Sequence, residues 1–232
     1  MVSAAPAVPE AAEAVFAARL PLAVRYAKLL AGAGVERGLI GPHEVDRLWG
    51  RHLLNCAVIG EVIAGKARVI DLGSGAGLPG LALALARPEL DITLLEPMAR
   101  RIVWLGEVID ELGLPVRVHR GRAEEPPVRA ELGGADVVVA RAVAPLAKLA
   151  GWALPLVADG GLLVAIKGET AAEEVTRDGG AVRSLGGRAV RIHDCGEGIV
   201  DPLTRVVIVE RGGRPDRVVA RAASAAHRRR RS

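Results

Sequence analysis

Val69-Ile70-Asp71-Leu72-Gly73-Ser74-Gly75-Ala76-Gly77-Leu78-Pro79-Gly80 runs from an apolar strand with an acid at its tip into a glycine-rich turn and then a helical pattern. Glycine lacks a Cβ, so such a turn tolerates positive φ and lets a ligand approach main-chain N–H groups at a helix start. Spacing alone admits two cofactors. Gly75, Gly77 and Gly80 satisfy G-x-G-x-x-G, and Glu96 stands where the dinucleotide fingerprint expects an acid for a ribose hydroxyl. Asp71 weighs against a dinucleotide, because a carboxylate facing a pyrophosphate in a partly desolvated cleft is repelled. S-adenosylmethionine carries a sulfonium and an ammonium and no phosphate, so the same acid attracts it. NAD and a purely structural turn remain the alternatives.

Outward from this turn, β-branched runs alternate with helical patterns. Strands are expected at 68–72, 91–96, 116–120, 136–141, 161–167, 189–195 and 205–210, with helices near 77–87, 98–113, 145–158 and 169–184. Alternation of this kind builds parallel βαβ units sheathed by helices on both faces. The short link from Gly196 to Thr204 predicts an antiparallel final pair. Two helices, over about 10–32 and 43–64, precede the first strand. The expected organisation is an N-terminal helical extension packed on the core (1–65), a mostly parallel seven-stranded α/β domain (66–211) and a basic, disordered tail (212–232).

Composition limits the function classes. No apolar run is long enough for a membrane span, and the first residues lack the pattern of a signal peptide. Cys56 and Cys195, the two cysteines, have no metal-ligand spacing around them; they suit a reducing cytoplasm and read as small buried hydrophobes, with no metal expected. The whole chain carries +4, and its last segment from Arg211 has eight Arg and one Asp, so residues 1–210 sit at −3. Affinity for a polyanion would come from local patches or from Arg228, Arg229, Arg230 and Arg231.

In open parallel sheets the ligand lies outside the carboxyl ends of the strands, where strand order reverses. That rule nominates Asp71 to Gly77, Glu96, Arg120 to Glu124, Arg141 and Lys167. Trp49, Trp104 and Trp152 read as helix-packing residues.

Arg51-His52-Leu53-Leu54, the glycine stretch with Leu78-Pro79-Gly80 attached, Arg87-Pro88, Arg100-Arg101, Arg122-Ala123-Glu124-Glu125, Ala140-Arg141-Ala142 and Lys167-Gly168 fall in an order and at intervals that closely resemble one family. It is the glucose-inhibited division protein B family, the ribosomal RNA small subunit methyltransferase G enzymes, and the resemblance spans roughly 19–210. The resemblance implies a Rossmann-like class I methyltransferase that moves a methyl group from S-adenosyl-L-methionine to N7 of a guanine in the 530 loop of 16S rRNA (position 527 in the usual rRNA numbering). It implies a cofactor site at Gly73, Leu78, Ala123, Glu124 and Arg141, to which the strand-end reading adds Asp71, Gly75, Gly77 and Glu96. Arg141 and Lys167 are expected to position the substrate, and Arg51, His52, Lys167 and the four tail arginines to meet RNA. The expected partner is 16S rRNA, within a small-subunit particle, and the expected state a cytoplasmic monomer. Gly38-Leu39-Ile40 stands where many members have Asn-Leu-Thr, and Asn55-Cys56 where they have Asp-Ser; both departures are assigned to the RNA side.

Guanine N7 offers a free lone pair and no proton, so its methylation needs no general base. Alignment and exclusion of water can supply on the order of 7–11 kcal/mol. Ala140-Arg141-Ala142-Val143-Ala144-Pro145 contains no candidate base, in keeping with that chemistry. Arginine commonly reads guanine through O6 and N7 together, and N7 must here face the donor, so Arg141 is expected on the cofactor carboxylate, a phosphate or O6 alone. A small-molecule methyltransferase and a non-catalytic donor- or RNA-binding module are the rival readings.

Overall fold

Seven strands form one sheet in the order β3-β2-β1-β4-β5-β7-β6 in the computed structural model, which describes residues 7–212. These are β1 (Arg68–Leu72), β2 (Asp91–Glu96), β3 (Arg117–Arg120), β4 (Ala135–Arg141), β5 (Val157–Ile166), β6 (Gly187–Cys195) and β7 (Thr204–Arg211). All neighbours through β5 are parallel, and β7 runs antiparallel to both β5 and β6. Strand order reverses between β1 and β4, whose carboxyl ends carry the glycine turn and Arg141.

The helices of the αβ repeat are α4 (Gly80–Ala86), α5 (Ala99–Leu112), α6 (Pro126–Leu132), α7 (Leu146–Ala153) and α8 (Ala171–Ser184). In α5, Trp104, Leu105, Val108, Ile109 and Leu112 turn one stripe to the core, and Gly113 ends the helix at φ 61°. By contrast α4 is apolar all round, with Gly80 to Leu85 buried. A helix of that composition must be covered on both sides. The sheet covers one side, and the N-terminal helices α1 (Ala11–Phe16) and α2 (Leu20–Leu29) cover the other, with α2 also against α5. Phe16, Tyr26 and Leu30 therefore share one core with Leu81, Leu83 and Trp104. A second core on the opposite sheet face joins α7 and α8 to Val138, Leu163 and Val207.

Several boundaries differ from expectation, each for a local reason. Helix α4 starts at Gly80 instead of Gly77, since Gly73, Gly75 and Gly77 all have positive φ. The expected 43–64 helix is a series of tighter and wider turns over Pro42–Val62, with a single short α segment, α3 (Asn55–Ala57). Helix α6 is additional to the expected helices, and Pro126-Pro127 at its first positions suits a helix start. No helix among the described residues is long and apolar enough to cross a membrane. The tail with Arg228 to Arg231 lies outside the described residues.

Candidate active site

The glycine turn is held from every side. Gly73 N–H donates to the Leu95 carbonyl at 2.8 Å and Gly75 N–H to Glu96 Oε2 at 3.0 Å, tying the turn to β2. The Ala76 carbonyl accepts both the Tyr26 hydroxyl and Trp104 Nε1, each at 2.9 Å. A Cβ at Gly77 would come within 2.4 Å of Leu81 and 2.7 Å of the Tyr26 hydroxyl, so the N-terminal extension is built against this turn.

Asp71 lies beneath the turn and is fully buried. Its Oδ2 accepts the Gly80 N–H at 3.0 Å, and a Cβ on Gly80 would sit 2.7 Å from that oxygen. The last glycine of the fingerprint is thus required by the acid that opens it. Oδ1 has no hydrogen-bond partner among the described residues. Burial pushes the Asp71 carboxyl up to about 7, against the opposing pull of Gly80, Ser74 and Arg141.

Above the turn is a cavity of about 560 Å³, within the range of small-molecule sites. Its walls are Gly73 to Ala76 and Leu78 from the turn, Glu96 to Met98 after β2, Gly121 to Glu124 after β3, and Arg141 to Val143 after β4. Glu96 is 1% exposed and also accepts the Met98 N–H at 3.0 Å. The donor set fits S-adenosylmethionine: bare backbone at the turn, a carboxylate at the end of β2 for vicinal hydroxyls, a guanidinium for a carboxylate, and an acid behind the turn to favour a cation.

Of the residues expected at the cofactor, Gly73, Gly75, Leu78, Glu96, Ala123, Glu124 and Arg141 line this cavity. Asp71 and Gly77 do not; they form the layer beneath, where the carboxylate binds backbone and the glycine makes room for Tyr26 and Leu81. Leu39, Ile40, Met98, Arg101 and Trp152 line it as well. The Gly38-Leu39-Ile40 departure therefore falls at this cavity and not on a separate RNA surface. Trp152, read from sequence as packing, reaches the wall. Spacing gave no signal for Leu39 and Ile40, which precede the first strand and arrive only by the packing of α2 on α4 and α5.

A second cavity of about 900 Å³ adjoins the first, and Arg141 and Ala142 line both. Ala142 has φ 54°, a left-handed conformation costly for a residue with a Cβ, at the switch point. Arg47, Arg51, His52, Asn55 and Lys167 contribute to the second cavity. Arg141 donates through Nη2 to His52 Nδ1 at 2.9 Å and through Nη1 to the Arg51 carbonyl at 3.3 Å. His52 Nε2 lies 2.8 Å from Glu44 Oε2, which also pairs with Arg51 Nε at 3.1 Å. Burial first, then Arg141, lowers the His52 pKa, while the His52 hydrogen bond lowers that of Glu44.

His52 and Lys167, expected at the RNA, both line the second cavity and are bonded within the protein. His52 is 7% exposed and bonded on both ring nitrogens. Lys167 Nζ donates to the Ala144 carbonyl and to Glu174 Oε2, each at 2.8 Å, pinning the loop after β4 to α8. Arg51 remains half-exposed at the second cavity.

The rRNA small subunit methyltransferase G family model matches residues 19–204. A ribosomal RNA small subunit methyltransferase G of Mycobacterium marinum is 56% identical over 203 residues, covering 88% of this chain and 89% of that one. The protein of the same description from Rhodococcus jostii is 57% identical over 201 residues, covering 87% and 88%. Among solved structures, a methyltransferase from Pyrococcus furiosus superposes with a TM-score of 0.52 at 14% identity, covering 67% of this chain and 81% of that one. Aeropyrum pernix fibrillarin with natively bound S-adenosyl-L-methionine gives 0.50 at 19%, covering 68% and 74%. The fold is thus that of Rossmann-like methyltransferases, and the chain belongs to the rRNA small subunit methyltransferase G family of S-adenosylmethionine-dependent enzymes.

Proposed function

We propose that the protein methylates N7 of a guanine in the 530 loop of 16S rRNA. The observation that carries this reading is the pair of adjoining cavities sharing Arg141 and Ala142, one suited to the methyl donor and the other lined by Arg47, Arg51, Arg141 and Lys167 together with Glu44, Asp46, Glu174 and Asp201. The relatives are named for the ribosomal RNA small subunit, which makes rRNA the acceptor favoured for this chain.

When bound, S-adenosylmethionine supplies a methyl group activated by its sulfonium. The chain's own part is then alignment. No carboxylate or imidazole with an open proton-accepting atom is required, because guanine N7 is already a lone pair. Arg141 lines both cavities, and the guanidinium protons not taken by His52 and the Arg51 carbonyl suit a donor carboxylate, an RNA phosphate or guanine O6. Lys167 acts at one remove by fixing the Ala142–Pro145 loop. Within the N-terminal extension, α1 and α2 shelter α4 and Leu39 and Ile40 close the donor cavity, while 66–211 form the catalytic domain. The enzyme acts as a cytoplasmic monomer that needs no metal.

The test is transfer of labelled methyl from S-adenosylmethionine to 16S rRNA and to 30S particles, followed by mapping of the modified nucleotide. Label at a guanine N7 of the 530 loop is expected. Label at another position, or none with donor demonstrably bound, overturns the assignment.

A further inference from the structure

Among the described residues Arg141 is the one guanidinium that lines both cavities, and its orientation is determined from outside the strand that carries it. We propose that Glu44 and His52 form a positioning relay in which an Nε2–H histidine, oriented by Glu44, presents Nδ1 as an acceptor that holds Arg141 at the seam. The inference rests on the proposed role of Arg141 in methyl transfer and adds residues that no part of that role requires.

The tautomer follows from donor chemistry. A guanidinium only donates, so the 2.9 Å contact from Arg141 Nη2 requires a lone pair on His52 Nδ1. The ring proton of neutral His52 must then be on Nε2, where the Glu44 carboxylate accepts it at 2.8 Å. A carboxylate that orients a neighbouring imidazole and fixes its tautomer is a recurring device in active sites. The Arg51 carbonyl, one residue away, takes a second Arg141 proton at 3.3 Å, so two consecutive residues of the N-terminal layer grip one side chain.

Protonation of His52 would place a proton on Nδ1 against the guanidinium. That removes the acceptor and sets two cations together, releasing Arg141. The charged and titratable groups facing His52 are Glu44, Arg51 and Arg141, and Arg141 itself lies within electrostatic reach of Tyr26, Cys56 and Asp71. Burial and Arg141 hold the His52 pKa below its ordinary 6.5, so the relay is set at neutral pH and lost in acid.

Two measurements on the full-length protein test this. In nitrogen-detected NMR of labelled histidine, without RNA, His52 should appear as the Nε2–H tautomer and titrate below 6.5; an Nδ1–H tautomer or a higher pKa overturns the relay even if the protein methylates no RNA. In single-turnover transfer at saturating donor and rRNA, His52→Leu should lower the rate by on the order of a hundredfold, as expected for a misplaced positioning group, with the donor-induced thermal shift retained as proof of folding. His52→Asn, which keeps an acceptor near the Nδ1 position and cannot titrate, should recover most of the rate and lose the acid limb. A wild-type rate in His52→Leu, or an acid limb that persists in His52→Asn, refutes the positioning role.

Discussion

Replacing Asp71 by asparagine should change how stability depends on pH. Asp71 is fully buried, and its carboxyl is pushed from 3.8 up to about 7, chiefly by loss of hydration. At 1.36 kcal/mol per unit, a rise of about three units corresponds to about 4 kcal/mol. Because the folded-state pKa is raised, the native protein retains a proton that the unfolded chain gives up near pH 4. Stability from this site is therefore full below about pH 4, falls as pH rises to about 7, and is flat above. The asparagine side chain in Asp71→Asn keeps an acceptor for the Gly80 N–H but has no proton to lose. Urea unfolding of both proteins between pH 5 and 8 should show wild type losing about 3 kcal/mol relative to the variant, roughly 6–12 °C in Tm for a chain of this size. All other titrating groups are common to both proteins and cancel. Parallel stability curves across that range would refute the view that loss of hydration outweighs the Gly80 hydrogen bond at Asp71.

A cationic donor above the turn should pull the Asp71 proton off, so donor affinity in wild type should rise as pH passes through about 7 and show no such step in Asp71→Asn, as isothermal titration would report. Gly80→Ala forces a methyl to within 2.4 Å of Leu94 and 2.7 Å of Asp71 Oδ2; overpacking of this kind costs roughly 1–3 kcal/mol, and denaturant midpoints should fall accordingly, with donor affinity falling alongside. Lys167→Met leaves Glu174 largely buried without its cation, a loss on the order of 3 kcal/mol, and thermal melts should show it with donor affinity little changed. Deleting residues 228–232 should leave donor affinity unchanged and reduce the salt slope of RNA binding by up to about 3 for the four arginines removed, at ~0.7 per phosphate contact on single strands; filter binding across salt concentrations reads this directly.

Asp71 sits beneath the glycine turn, bonded to backbone, and does not line the cavity above it. From spacing alone, an acid at the tip of β1 belongs to the ligand. Its contact with Gly80, nine residues on, depends on how tightly the turn folds back, and only positive φ at Gly73, Gly75 and Gly77 brings that N–H onto the carboxylate. Glu96 was legible because it ends a strand adjacent to β1, and adjacency in a parallel sheet brings strand ends together. His52 was visible as part of a motif, but its partners lie 8 residues before it and 89 after it. No local pattern encodes that second distance.

What the sequence determined by itself was the sheet, the glycine turn, the rim on which the functional groups collect and the kind of cofactor, since each depends on periodicity or on residues close in the chain. The tertiary structure decided which of the nominated residues reach a cavity and which support it from behind. It also brought the N-terminal layer against the switch point, where Tyr26 holds the turn, Leu39 and Ile40 wall the donor cavity, and Glu44 and His52 hold Arg141. The physical reason is α4: a helix apolar on all sides must be covered, and the segment that covers it carries polar groups of its own to the site.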